Sequence, residues 1–439
     1  MAATAIYWFR RDLRLSDNTA LASALRSGEG VLPVYVMPDE PGQGESAWLA
    51  RSLASLDAGL RAHGSRLLVR HGPADEVLAE LVSESGARTV HCTRLWTPAG
   101  LAEEHAVADV LAPQRVGLIV AEGSLLVTPD AISTGTGDPY RVFTPYFRTW
   151  EGAWDGGALP AGPPERIPAP GSRIASEALP EIPAGLPDPT VWWTPGETGA
   201  QERLAEFVDD ALEHYDEQRD LPALDATSRL SPHLAFGEVS PRQVAAAVTA
   251  SGLPREATRP FLRQLAWREF AAHVLHHNPR TLTEPLRPEF ARMPWSDDPD
   301  AFTAWREGRT GYPLVDAGMR QLAATGWMHN RVRLVAASFL TKHLLVPWQT
   351  GERYFADALI DFDVASNVFN WQWVAGCGAD AAPYFRIFNP WLQATRFDAG
   401  GQYVRHWVPE VDSDEYPSPI IDHAEARERA LAAYAAIKG

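Results

Sequence analysis

The sequence predicts an α/β N-terminal domain with a doubly wound parallel sheet, joined by a long connector to an all-α domain. Three observations predict this. Over the first ~130 residues, apolar runs of strand length alternate with amphipathic helical runs, the pattern of consecutive βαβ units. Between Gly152 and Thr198, proline and glycine crowd together, as in Leu159-Pro-Ala-Gly-Pro-Pro and Pro168-Ala-Pro-Gly. From Gln201 onward, helical spacing dominates. The expected divisions are 1–130, 131–200 and 201–439.

Strands are expected at Ile6–Phe9, Val31–Val36, Arg66–Val69, Thr89–Thr93 and Gly117–Val120. Helical patterns such as Ala47–Leu60 and Ala74–Val82 lie between them, so the strands should pair in parallel through crossovers. The turn after the first strand, Arg10-Arg11-Asp12-Leu13-Arg14, lacks the glycines that let a backbone approach a pyrophosphate. A standard dinucleotide site is therefore not expected there. The Pro/Gly-rich stretch reads as an ordered connector over the surface and not as a third domain. Beyond it, Leu204, Phe207, Val208, Ala211, Leu212 and Tyr215 recur at helical spacing, and Ser240-Pro241 supplies an N-cap with proline at N1. No internal repeat is present.

At 439 residues and 45% hydrophobic composition, the chain can build two cores and belongs to the ordinary soluble class. No apolar run has the length of a membrane span, and Met1-Ala-Ala-Thr-Ala-Ile-Tyr-Trp leads into a strand without a signal-peptide layout. Cys92 and Cys377 are the only cysteines and show no metal or iron–sulfur spacing. We expect a cytoplasmic protein with no metal site and no membrane contact. The net charge of −17 argues on average against nucleic acid. Yet Ala317–Gly351 has no acidic residue while carrying Arg320, Arg331, Arg333 and Lys342. A local basic face and a set of solvated or cofactor-pairing arginines both fit that stretch.

Four segments carry candidate chemistry. In Asn367-Val-Phe-Asn-Trp-Gln-Trp, the two tryptophans are about 200° apart on a helix. Trp371 shares a face with Asn367, whereas Trp373 points away. One side suits a buried cofactor and the other a flat aromatic ligand. In Asp225-Ala-Thr-Ser-Arg-Leu-Ser-Pro-His, Thr227, Ser228, Arg229 and Ser231 either wrap a diphosphate or cap the next helix. In Phe261-Leu-Arg-Gln-Leu-Ala-Trp-Arg, a stripe of Phe261, Gln264, Trp267 and Arg268 is either ligand-contacting or core. In Gly326-Trp-Met-His-Asn-Arg-Val-Arg-Leu, Asn330, Arg333 and Leu334 share a face, and a buried Arg333 needs a carboxylate, for which Asp361 is a candidate. Asp363 either joins that site or caps the helix after it. By periodicity, Trp295, Trp348 and Trp371 are indistinguishable from core packing, and Met328 and His329 read as structural.

These segments resemble the DNA photolyase and cryptochrome family over nearly the whole chain. The matches run from Trp8-Phe-Arg-Arg-Asp-Leu-Arg-Leu-Ser-Asp-Asn through Thr227-Ser-Arg-Leu-Ser-Pro-His-Leu-Ala and Trp267-Arg-Glu-Phe. They continue through Thr310-Gly-Tyr-Pro-Leu-Val-Asp-Ala-Gly-Met-Arg, Gly326-Trp-Met-His-Asn-Arg, Trp371-Gln-Trp and Ala381-Ala-Pro-Tyr-Phe-Arg-Ile-Phe-Asn-Pro. The likeness is strongest to bacterial class I cyclobutane pyrimidine dimer photolyases. It implies a helical domain holding FAD, reduced in its active form. Carried over by position, Tyr215 and Thr227, Ser228, Arg229, Leu230 and Ser231 would bind its phosphates and ribitol. Phe261, Gln264, Arg268, Asn330, Arg333, Asp361 and Asp363 would surround the rest, with Asn367 beside flavin N5. Trp371, Trp348 and Trp295 would relay electrons, Trp371 innermost and Trp295 nearest solvent. Gln264, Trp267, Asn330, Arg331, Leu334 and Trp373 would meet damaged DNA, a pyrimidine dimer flipped from the duplex. The implied reaction is light-driven electron transfer to the dimer, ring splitting and electron return. A monomer is expected, and a second, antenna chromophore of unknown identity is allowed.

The lesion side departs from the family pattern. Cyclobutane-type enzymes usually have glutamate where Gln264 stands and methionine where Leu334 stands, and Val368-Phe369-Asn370 replaces a smaller, glycine-rich stretch. Glutamine at that position occurs in six-four photolyases, but their two histidines are here Asn330 and Leu334. At the antenna positions, Glu45 replaces an arginine and Arg94-Leu-Trp-Thr-Pro lacks a folate-type polar pattern, and Trp96 or Trp48 can occupy the pocket instead. The alternative functions are a cryptochrome-like blue-light receptor, a six-four photolyase and a dark flavin oxidoreductase. Asn367 and the lack of a C-terminal extension favour repair over reception, because plant-type cryptochromes carry aspartate at that position.

Overall fold

The computed structural model describes residues 4–27, 30–154, 156, 159–170, 174–381 and 385–438. The motif residues 382–384 lie outside this set. Two compact units form, each from several stretches of chain. The first takes residues 1–132, 150–210 and 228–258, and the second takes 133–149, 211–227 and 259–439.

The first unit is built on five strands: β1 (Thr4–Phe9), β2 (Gly30–Met37), β3 (Leu68–His71), β4 (Ala87–Thr93) and β5 (Gly117–Ala121). They pair in the order β3-β2-β1-β4-β5, every neighbour parallel, which is the doubly wound topology expected. β1 is buried along its full length, as a central parallel strand covered on both faces must be. β3 starts two residues later than the apolar pattern suggests. The reason is local: Leu67 gives its N–H to Asp57 Oδ1 at 2.8 Å, within the helix side of the unit, before the ladder begins. The connector closes the exposed edge. Pro168 O accepts from Val31 N–H at 2.8 Å, and Val69 exchanges bonds with Ser176 Oγ (2.9 Å) and Glu177 N–H (3.1 Å). An edge strand covered in this way offers no free ladder for pairing with another chain.

The polar turn after β1 is an anchor. Asp12 is fully buried and accepts from Tyr7 Oη at 2.5 Å, Thr93 Oγ1 at 2.6 Å and the Arg10 N–H at 2.8 Å. Arg14 Nη1 reaches Gly237 O at 2.9 Å, and Leu13 N–H reaches Phe236 O at 3.1 Å. This ties the sheet to the helix Ser231–Phe236. Gly237 has φ +67°, and a Cβ there would lie 2.0 Å from Arg11 O, so only glycine permits the approach.

The second unit is helical. Its core packs Trp305, Tyr312, Met319, Val335, Trp348, Phe355 and Trp371. The helix Pro313–Thr325 is tied down through Asp316, which accepts from Thr310 N–H (2.8 Å), Thr310 Oγ1 (2.6 Å), Gly311 N–H (3.0 Å) and Tyr416 Oη (2.6 Å). The helix Asn330–Ser338 is entered through His329, whose Nδ1 accepts the Arg331 N–H at 3.2 Å. Both cysteines are free and buried, and burial pushes each thiol up to about 12. Among the described residues, no helix is long and apolar enough to cross a membrane.

Two stability predictions follow from these anchors. Asp12→Ala leaves the buried Thr93 hydroxyl and the Arg10 N–H without their acceptor and removes one of the two acceptors of Tyr7 Oη, and should cost roughly 3 kcal/mol. The check is the denaturant midpoint of the first unit; an unmoved midpoint would contradict the anchor. His329 titrates far below its ordinary 6.5, at about 4, chiefly because it is buried. Between those values the unfolded chain binds a proton that the folded chain refuses. Stability should therefore fall as pH falls from 6.5 to about 4 and level off below, with a swing of roughly 3 kcal/mol from this group. His329→Asn, which retains an acceptor for the Arg331 N–H, should lose less stability across that window than the parent in urea titrations.

Candidate cofactor and ligand site

The helix Val364–Ala375 organises the second unit's site. Asp363 is its N-cap, accepting Ser366 N–H at 2.7 Å, so the capping reading of that residue is the one observed. Asn367 and Trp371 lie one turn apart and are buried, while Trp373 is half-buried. Trp371 fits because residue 351 is glycine: a Cβ there would sit 2.2 Å from its Cη2. Its ring neighbours are Phe355, edge-on at 5.0 Å, and Trp305 at 6.3 Å. Among the described residues no ring contact joins Trp371 to Trp348, or Trp348 to Trp295. Trp348 is buried and Trp295 half-buried.

The Asn367 amide has a defined orientation. Its Nδ2 donates to Glu352 O at 3.1 Å and Glu352 Oε1 at 2.9 Å. Two oxygen partners require the nitrogen on that side, which leaves Oδ1 as the outward acceptor. Burial raises the Glu352 carboxyl above its ordinary value, partly offset by the bond from Asn367.

Arg333 pairs with Asp361 as expected: Nη2 to Oδ2 is 2.8 Å, with Nε held by Met328 O at 2.7 Å. The Asp361 carboxylate is 3% exposed, yet among the described residues its Oδ1 has no hydrogen-bond partner. A buried carboxylate oxygen in that condition is costly unless a bound group supplies a donor. The acid-free stretch 317–351 does not form an unopposed basic face. Arg320 pairs with Glu410 at 2.6 Å and Arg331 with Asp220 at 2.7 Å, Arg333 is held as above, and Lys342 is buried against Ala375 O at 2.6 Å. Partners distant in sequence neutralise what the local composition suggested. Asn330 is exposed and Leu334 half-buried at the same helix.

On the helix Arg255–His277, Phe261 is buried and meets Tyr215 edge-on at 5.3 Å. Burial pushes the Tyr215 phenol up to about 12. Gln264 folds Nε2 back onto Pro260 O at 3.0 Å. Arg268 is half-buried. Trp267 is half-buried, and one face lies flat on Phe143, with centroids 3.5 Å apart and planes at 8°. Phe369 is core filler, 5.6 Å from Phe270 and 6.0 Å from Trp267.

Of the hydroxyl-rich loop, Thr227 belongs to the second unit and Ser228 to Ser231 to the first. Ser228 O accepts Arg203 Nε at 3.0 Å, Arg229 has φ +51° with its guanidinium 4.7 Å from the Trp193 ring, and Leu230 is buried. Leu230 is the N-cap of Ser231–Phe236, which has no side-chain cap bond. Ser228 Oγ accepts the Leu230 N–H at 3.4 Å, at the entry to that helix.

At the antenna positions, Glu45 pairs with Arg11 at 2.7 Å. Trp48 is fully buried, its Nε1 on Glu238 at 2.9 Å and its ring stacked on Phe236. Trp96 donates to Glu122 at 2.9 Å.

Sequence reasoning missed Glu352, Trp305, Phe143 and Asp380. None stands in a motif that singles it out; each matters through a partner distant along the chain. For Glu352 one signal existed, as it closes the acid-free stretch.

Residues 5–170 match the DNA photolyase family, and residues 261–415 match the FAD binding domain of DNA photolyase. The deoxyribodipyrimidine photo-lyase of Agrobacterium fabrum is 45% identical, covering 99% of this chain and 98% of that protein. Among solved structures, a bacterial class III photolyase from Agrobacterium tumefaciens superposes with a TM-score of 0.95 at 45% identity, covering 100% of this chain and 98% of that one. The Synechocystis sp. PCC6803 cryptochrome gives 0.89 at 29% identity, covering 98% and 99%. The buried acceptor of Asp361 and the fixed amide of Asn367 fit a flavin-holding site. On these matches, over nearly its whole length, the chain belongs to the DNA photolyase family.

Proposed function

We propose that this chain repairs cyclobutane pyrimidine dimers in DNA by light-driven electron transfer. The observation that carries the reading is the two-sided helix Val364–Ala375, with a buried face of Asn367 and Trp371 and a half-exposed Trp373 opposite. Full-length identity to deoxyribodipyrimidine photo-lyases supports it. The division proposed with it is 1–130 for the α/β domain, 131–200 for the connector and 201–439 for the FAD-binding catalytic domain. The class I likeness of the motifs stands beside 45% identity to a class III structure, and the reading rests on what the two classes share.

Reduced FAD, when bound, supplies the electron that light drives into the dimer and accepts it back. The chain's own groups do the rest. Glu352 holds the Asn367 amide by its Nδ2, so that Oδ1 would be the atom available to accept from a protonated flavin nitrogen. Asp361, aligned by Arg333, offers Oδ1 to a donor on the cofactor. Tyr215, Phe261, Arg268 and Asp363, with Thr227 to Ser231, complete the cofactor's surroundings. Trp371, Trp348 and Trp295 relay electrons inward, and the half-buried Trp295, beside the buried Trp348 and Trp371, supports its place nearest solvent. Trp267 and Trp373 stack on the flipped bases, each stack worth about 1–3 kcal/mol against an unstacking cost of a few. Gln264, Asn330, Arg331 and Leu334 line the lesion side. The protein acts as a monomer.

The blue-light receptor is the reading to exclude, given the likeness to a cryptochrome. Chemically reduced protein, illuminated with an oligonucleotide carrying one thymine cyclobutane dimer, should restore intact thymines, while a dark control should not. Dimer loss no greater than with free reduced flavin would rule out repair.

A further inference from the structure

The proposed lesion-stacking tryptophans are held by groups that no motif singles out. Phe143 is 1% exposed and lies flat against Trp267, centroids 3.5 Å apart and planes at 8°. It opens the helix Phe143–Ala153, whose next turn packs Tyr146 and Phe147 beside it. Tyr146 in turn meets Phe270 at 4.8 Å. Phe143 is thus continuous with the core and is not a loose ring that a base displaces. Its face covers one side of the indole, so a base can stack only on the other.

Asp380 links this plate to the second tryptophan. Its carbonyl accepts Trp373 Nε1–H at 3.1 Å. Its carboxylate accepts the Phe143 N–H at 3.4 Å, and its own N–H reaches Arg141 O at 3.2 Å. Asp380 holds φ +52°, a left-handed conformation that a residue other than glycine adopts at a cost. The Arg263 guanidinium lies 5.2 Å from the Phe143 ring, on the same cluster.

We propose that Phe143 and Asp380 are positioning residues for lesion binding: Phe143 backs the Trp267 indole, and Asp380 ties that plate to Trp373, fixing the gap between the two aromatic walls. This rests on the reading that Trp267 and Trp373 stack on the flipped dimer. Rigid aromatic walls raise affinity by reducing what must be ordered on binding. The flavin face of the helix Val364–Ala375 points elsewhere, so cofactor loading and photoreduction do not depend on the plate.

The test uses reduced holoenzyme in the dark, with single-stranded oligonucleotides that carry or lack one thymine cyclobutane dimer. Phe143→Leu and Asp380→Gly should each weaken dimer binding about tenfold, a 1.4 kcal/mol loss. Undamaged-DNA affinity, FAD content, photoreduction rate and repair under saturating dimer should stay within twofold. Phe143→Tyr and Asp380→Asn, which keep the flat ring and the acceptor, should bind as the parent does. Phe143→Leu is scored only at parental FAD content; otherwise Asp380→Gly carries the test. Parental dimer affinity in both variants, with affinity lost in Trp267→Ala, would overturn the positioning role and leave the stacking reading standing. Tighter binding by Phe143→Leu would also overturn it, because the ring would then occupy the base's place. No effect of Trp267→Ala would remove the stacking reading and this inference together.

Discussion

A helix advances about 100° per residue, so two tryptophans separated by one residue cannot serve the same side. That constraint at Trp371 and Trp373 governs the second unit. It places Asn367 and Trp371 on the buried side, where Trp371 fits because residue 351 is glycine. It leaves Trp373 half-buried on the opposite side, hydrogen-bonded to a loop carbonyl at Asp380. On the proposed reading, a cofactor and a flat ligand are thereby served by one helix.

The remaining parts fix the orientation of groups on those two sides. Glu352 turns the Asn367 amide so that an oxygen faces outward. Arg333 neutralises half of a buried carboxylate and leaves the other oxygen for a donor. A buried acceptor without a donor is a standing cost that ligand binding removes, so cofactor binding and stability are linked. In the first unit the same economy of buried charge appears at Asp12, whose acceptors hold a strand, a turn and a neighbouring strand together.

The doubly wound sheet was legible because apolar strand runs alternating with helical periodicity leave few other solutions. The split character of Val364–Ala375 was legible for the same reason, since period alone separates residues 367 and 371 from 373. The Arg333–Asp361 pair followed from the cost of burying a lone guanidinium. What period and composition could not reveal were contacts between segments far apart in the chain. The arginines of 317–351 looked like a basic face until Glu410 and Asp220 arrived from elsewhere. The Trp48 indole gave no hint that Glu238, far along the chain, would accept its N–H. Phe143 gave no signal, because its importance lies in one ring that it touches.

The central claim is that one helix divides cofactor chemistry from lesion recognition, and the paired variants Trp371→Phe and Trp373→Ala test it directly. Each is measured for photoreduction of oxidised FAD and for dark binding of dimer-containing DNA by the pre-reduced protein. The two-sided helix predicts that Trp371→Phe loses photoreduction and keeps dimer binding, whereas Trp373→Ala keeps photoreduction and loses dimer binding. Loss of both properties in either variant at normal FAD content, or loss of neither, would contradict it.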